Sequence, residues 1–191
     1  MENLILKFRE EVIFLASKSE FVNSKWYVKY HLEIVEKIAM ELCDLYPNAD
    51  RNLVKLLVWL HDLGKILGLD NNGTLIVGKK KLMEIGLPGK IIDQVIVGVK
   101  AIDEKIYLET ALIEVKIVSS ADGAAHLIGP FFLIWFYENP NRPINELMEK
   151  NIQKVRTDLE KKIVLPEVKE VFLHRYNLVL EQNGIFPDKY L

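Results

Sequence analysis

The sequence predicts an all-α fold, a single domain over residues 1–191 with about seven to nine helices around a central buried one. Three observations carry this. Apolar residues recur at helical spacing almost everywhere and alternate at strand spacing almost nowhere. Half of the residues are hydrophobic and 27% are charged, the balance of a folded chain. One segment, from Leu53 to Leu63, is apolar nearly all round, as a helix enclosed by others must be.

The elements follow in order. Leu4, Ile5, Phe8, Val12 and Leu15 form the apolar face of a first helix. Asn23 or Ser24 caps a second, with Ile34, Val35, Ile38, Leu42 and Leu45 on one side, and Pro47-Asn48 ends it. Asp50 is a good N-cap for the third helix. The stretch Gly68-Leu69-Asp70-Asn71-Asn72-Gly73 reads as a turn cluster. Pro88 sits at a first helical position before Ile91, Ile92, Val95, Ile96 and Val99. A long helix starts near Glu109 and is kinked or ended at Gly129-Pro130. The most apolar stretch, Ala124 to Tyr137, is 14 residues, short of the roughly 20 a bilayer span needs, and reads as a buried helix. After the loop Asn139–Pro143, helices near Pro143 and Pro166 fill residues 143–182 and pack on a core of about residues 25–126.

Composition removes several classes of function. A net charge of −2 supplies no basic field for bulk nucleic-acid binding. The single cysteine, Cys43, excludes an internal disulfide and a cysteine-based zinc site and fits a reducing compartment. Met1-Glu2-Asn3 opens neither a signal nor a transit peptide, so a cytoplasmic protein away from membranes is expected.

The chemistry gathers on four residues. His61 and Asp62 are adjacent near the end of the third helix. His31 lies in the first half of the second, and Asp122 midway along the long one. Neighbouring side chains leave a helix about 100° apart. One ion above His61-Asp62 can therefore take an imidazole nitrogen and a carboxylate oxygen from one turn, and His31 and Asp122 complete the set. Two neutral imidazoles and two carboxylates balance a divalent cation and leave room for water and substrate.

Leu63-Gly64-Lys65 completes a His-Asp-Leu-Gly-Lys motif. Lys29-Tyr30-His31 precedes it, and Lys116-Ile117-Val118 leads into Ser119-Ser120-Ala121-Asp122. This order resembles the HD-domain superfamily of metal-dependent phosphohydrolases over about residues 25–126. The resemblance implies an all-helical fold and one divalent ion (Mn, Co, Ni, Mg, Fe or Zn) held by His31, His61, Asp62 and Asp122. It also implies hydrolysis of phosphomonoesters or phosphodiesters, commonly of nucleotides. Some members carry further histidines between the His-Asp pair and the last Asp and hold more metals. None lies between Asp62 and Asp122 here, so a mononuclear site is expected, and a diiron oxygenase is not.

A divalent ion lowers the pKa of its bound water and polarises a phosphoryl oxygen, so that water attacks phosphorus in line. The substrate's charge then calls for further cations. Lys65, i+4 from His61 and i+3 from Asp62, shares their face and is expected to contact phosphate. Its alternative is a solvated residue near a helix end. Asp62 and Lys65 are thus the catalytic candidates, with Asp62 also orienting the water.

His126, i+4 from Asp122, is a candidate to bind substrate, act as general acid or orient Asp122, against a core histidine bonded to backbone. Lys29 is a candidate for the pocket rim. Trp26 and Tyr30 either stack on a base or pack. Asp70, the first acidic residue after the pair, suits turn chemistry. Lys79-Lys80-Lys81 reads as a solvated face, and the aromatic run Phe131–Tyr137 as core or dimer interface. Arg156 and Lys161-Lys162 are candidates to bind phosphate with only charge to recommend them, and His174 is structural.

The expected function is a divalent-metal-dependent phosphohydrolase with a small phosphorylated compound, foremost a nucleotide, as substrate. The alternative is a slow nucleotide- or metal-binding sensor. The acidic balance argues against a nucleic-acid enzyme, and the apolar C-terminal helices lean towards a homodimer.

Overall fold

A computed structural model describes residues 1–189. Among them are nine helices of eight residues or more: α1 (Glu2–Ala16), α2 (Glu33–Leu45), α3 (Arg51–Leu60), α5 (Asn71–Glu84), α6 (Gly89–Glu104), α7 (Ile113–Ala125), α8 (Phe131–Glu138), α9 (Ile144–Thr157) and α10 (Pro166–Gln182). A short α4 (Leu63–Leu67) joins α3 to α5, and no described residue is in a strand. Two π-helical turns, Val28–Leu32 and Asp158–Lys162, precede α2 and follow α9. No helix among the described residues is long and apolar enough to cross a membrane.

Asp50 starts the central helix as its sequence predicts. Its Oδ1 accepts from the N–H groups of Asn52 at 2.8 Å and Leu53 at 3.3 Å, satisfying two donors that a helix start leaves open. Its own N–H donates to Glu114 Oε1 at 2.8 Å, tying the start of α3 to the start of α7. All residues of α3 from Leu56 to Leu60 are buried, and α3 packs against α1, α2, α6 and α7.

α7 is more deeply enclosed still, with every residue from Val115 to Ala125 buried except Lys116. Small side chains make this possible. Ser119 Oγ donates to the Lys162 carbonyl at 2.9 Å, and Ser120 Oγ accepts from the N–H groups of Val164 and Leu165, both at 3.1 Å. Gly123 lets the 158–163 backbone approach α7 closely. A Cβ there would lie 2.9 Å from Ile163 Cγ1 and 3.2 Å from the Asp158 carbonyl.

The structure departs most from the sequence reading at three places, and the helix expected from near Glu109 starts later, at Ile113. The turn cluster ends at Asp70, which caps α5 by accepting from Gly73 N–H at 2.7 Å. Asn71, Asn72 and Gly73 are poor helix formers. Packing overrides them, because Thr74 sits against Gly64 and Gly78 against Leu60. Second, Ala124–Tyr137 is not one buried helix. α7 stops at Ala125, Gly129 takes φ +66° in a turn, and α8 buries only Phe132. Third, Asn23 and Ser24 lie in irregular turns, and the chain enters α2 through the π-helical turn that carries His31.

Gly123→Ala is expected to cost about 1–3 kcal/mol in urea unfolding, the usual penalty for overpacking. Gly89→Ala, with nothing within 4 Å of the added Cβ, should be neutral or slightly stabilising. Equal effects from both would remove the argument for close approach at α7.

Candidate metal centre

Three segments deliver the four predicted residues to one place. His31 comes from the first π-helical turn and Asp122 from α7. His61 and Asp62 sit in the break between α3 and α4, where Asp62 leaves helical geometry at φ −108° and ψ 11°. His61 Nδ1 donates to the Val58 carbonyl at 2.7 Å, so that whenever the ring is neutral its Nε2 lone pair is directed inward.

His31 Nε2 lies 3.0 Å from Asp62 Oδ2 and 3.5 Å from Asp122 Oδ1. The corresponding distances from His61 Nε2 are 3.3 and 3.8 Å. His31, His61 and Asp122 each offer a ligand atom within 4.8 Å of the others. Asp62 touches both imidazoles, but its Oδ2 also accepts from Tyr27 and its Oδ1 pairs with Lys65 at 2.7 Å.

All four residues are buried, Asp62 being the most open at 4% exposed. Among the described residues, His61 Nε2 and Asp122 Oδ1 have no hydrogen-bond partner. Buried polar atoms are normally paired, because an unmade bond costs about 1–3 kcal/mol. A cation between these atoms satisfies both, so the donor set fits a divalent ion.

Each carboxylate in the cluster has its own lysine. Asp62 pairs with Lys65, Asp122 with the buried Lys162, and Asp158 with Lys154 at 2.5 and 2.6 Å. Burial opposes ionisation of Asp62 and Asp122, yet the adjacent lysines and imidazoles hold both carboxyls well below their ordinary range. Lys162 is raised in turn, its burial outweighed by Asp122 and Asp158. Burial and the Asp62 charge push Tyr27 well above the usual phenol range, so it stays a donor. Burial lowers His31, whereas Asp62 and Asp122 overcome burial at His61 and push it to about 10. His126 falls to about 3 under burial and the Lys154 charge.

A cleft of about 750 Å³ reaches this cluster, with Tyr27, Lys65 and His126 on the cluster side. Trp26, Phe131 and Trp135 give it an aromatic wall, and Lys150 and Lys154 enter from α9. The Lys154 ammonium lies 5.7 Å over the Phe131 ring and that of Lys150 5.9 Å over Trp135. The aromatic run that the sequence assigned to core or interface thus lines a cleft in part.

The structure brings together His31, His61, Asp62, Lys65, Asp122 and His126. Lys29 is exposed, outside the cleft lining, with its ammonium 5.1 Å over the Tyr30 ring. Asp70 caps α5 as turn chemistry suggested. The sequence reading missed Tyr27, Lys154 and Asp158, and it offered Lys162 only as a phosphate contact, not as the partner of Asp122. A signal was present in the i, i+4, i+8 spacing of Lys154, Asp158 and Lys162, which aligns opposite charges on one helical face.

An all-helical bundle that closes two histidines and two aspartates into one buried cluster defines a class of helical domains whose donor set fits a cation. The family model described as HD domain matches residues 28–126, more than half of the chain, so the protein belongs to the HD-domain family. No curated protein and no solved structure matches it. The family consists generally of metal-dependent phosphohydrolases that bind divalent ions, and the buried His31, His61 and Asp122 cluster fits that chemistry.

Asp122→Ala is expected to cost about 3–5 kcal/mol, because it strands the Lys162 ammonium in the core. Urea unfolding in the presence of a chelator measures this. Asp122→Leu combined with Lys162→Met should recover part of the loss, and equal destabilisation by both variants would show that the pairing is not its cause.

Proposed function

We propose that the protein is a divalent-metal-dependent phosphohydrolase whose substrate is a small phosphorylated compound, foremost a nucleotide. One observation carries this reading. Two unpartnered ligand atoms, His61 Nε2 and Asp122 Oδ1, are buried beside a cleft that offers both ammonium groups and aromatic faces.

The charges favour an anionic substrate. Three aspartates and three lysines cancel across the cluster, and the imidazoles are neutral when they act as ligands. When bound by His31, His61, Asp62 and Asp122, a divalent ion supplies uncompensated positive charge and polarises water and a phosphoryl oxygen. Lys65 holds Asp62 with an ammonium whose side chain is 57% exposed, so it can contact a phosphoryl oxygen without leaving the carboxylate. Tyr27 and Lys65 keep Asp62 ionised, as an acceptor for a proton of the attacking water. The rings of Trp26 and Trp135 offer flat apolar surface for a nucleobase.

The test is a metal screen on purified protein with Mn²⁺, Co²⁺, Ni²⁺ and Mg²⁺ against an aryl phosphate, an aryl phosphodiester and nucleotides. Hydrolysis is expected, and Asp62→Ala and Asp122→Asn should abolish it. Lys65→Met should raise KM about tenfold or more, the worth of a charged hydrogen bond. Nucleotide binding without turnover under every metal would favour a sensor instead, and activity retained in Asp122→Asn would remove the reading.

A further inference from the structure

His126 is as close to Asp122 as His31 is. Its Nε2 lies 3.5 Å from Asp122 Oδ1, and its ring stacks on His31 with centroids 4.8 Å apart and planes 3° from parallel. An imidazole in that position is either a further ligand to the ion or a hydrogen-bond donor beside it. The two roles require opposite tautomers, because only an unprotonated Nε2 has a lone pair to share.

The residues behind the ring decide between them. Lys154 Nζ lies 2.5 and 2.6 Å from the two oxygens of Asp158 and 2.8 Å from His126 Nδ1. An ammonium has three protons and no lone pair, so these three contacts use its protons and each partner must accept. His126 Nδ1 is therefore unprotonated, and in the neutral ring the proton is on Nε2. At 3.5 Å from Asp122 Oδ1 this N–H makes no full hydrogen bond, and His126 also lines the cleft. The N–H stays available there.

Asp158 makes the arrangement a choice between two states. Its Oδ2 is 3.1 Å from His126 Nδ1. Without the ammonium, the carboxylate would accept a hydrogen bond from an Nδ1–H, the ring's single proton would sit on Nδ1, and the Nε2 lone pair would face Asp122. That is the carboxylate–histidine pairing that commonly supports a metal ligand.

We propose that Lys154 is a positioning residue that sets the tautomer of His126, so that the ring meets a phosphoryl oxygen as a donor and is withheld from the metal. The donor role rests on the phosphohydrolase reading, whereas the tautomer does not. Lys154 and Asp158 both lie outside residues 28–126, so this control belongs to the C-terminal segment of this chain.

Nitrogen NMR of the metal-free full chain labelled with ¹⁵N-histidine tests it. The four histidines give a small set of signals, and His126→Gln identifies the one in question. In the unsubstituted protein the His126 proton should be on Nε2, and a proton on Nδ1 would overturn the proposal without any variant. Lys154→Met should move the proton to Nδ1, and Asp158→Asn added to it should remove that preference. An unchanged tautomer in Lys154→Met would also overturn it. For the donor role, inorganic phosphate added to the metal-loaded protein should shift the Nε2–H signal, and Lys154→Met should weaken that binding about tenfold. A tautomer as described with no response to phosphate would reject the donor role. Absent hydrolysis with these spectra intact would count against the phosphohydrolase reading alone.

Discussion

The structure depends on one electrostatic constraint: a carboxylate buried among helices needs a cation at hand. Breaking such a pair costs about 3–5 kcal/mol, far more than a surface ion pair contributes. Asp62, Asp122 and Asp158 are each under 5% exposed, and each has a lysine. Meeting that requirement dictates which segments must touch. Asp62 finds Lys65 three residues on, so the break between α3 and α4 serves itself. Asp122 can be paired only if residues 158–163 lie against α7, which the serines at 119 and 120 and the bare backbone at Gly123 permit.

The same pairing changes what a bound ion means. From the sequence, four ligands neutralise the ion, and extra cations must then be found for the substrate. In the structure the aspartates already have counter-charges, so a divalent ion adds its own charge to a balanced site. Both π-helical turns serve this arrangement. One carries His31, and the other carries Asp158 and Lys162. Such turns insert an extra residue into a helix and re-aim the side chains after it, and they occur often at functional sites.

Most of the helical pattern was legible because long amphipathic segments announce themselves, as did the cap at Asp50 and the central apolar stretch. The four inward residues were legible because histidine and aspartate within apolar helices demand partners. α5 was hidden, since Asn71-Asn72-Gly73 argues locally against a helix that only packing on Gly64 and Leu60 sustains. Lys162 and Tyr27 were hidden for another reason. Their partners, Asp122 and Asp62, lie 40 and 35 residues away along the chain, and no local pattern encodes such a meeting. The break at residues 126–130 separated an apolar run into a core helix and a cleft wall, which hydrophobicity alone cannot distinguish.

α8 carries that division further. It supplies Phe131, Phe132 and Trp135 to the cleft yet sends only Phe132 into the interior, while Leu133 and Tyr137 are 58% and 84% exposed. Its principal neighbour is α9, not the helices that hold the aspartates. Changes along most of α8 therefore cost little folding energy and leave the charged cluster intact. Mutation can reshape the wall of the cleft while the buried cluster stays fixed. A descendant of this chain can redraw most of this helix, Phe131 and Phe132 aside, and so recast the cleft while the buried cluster is held constant.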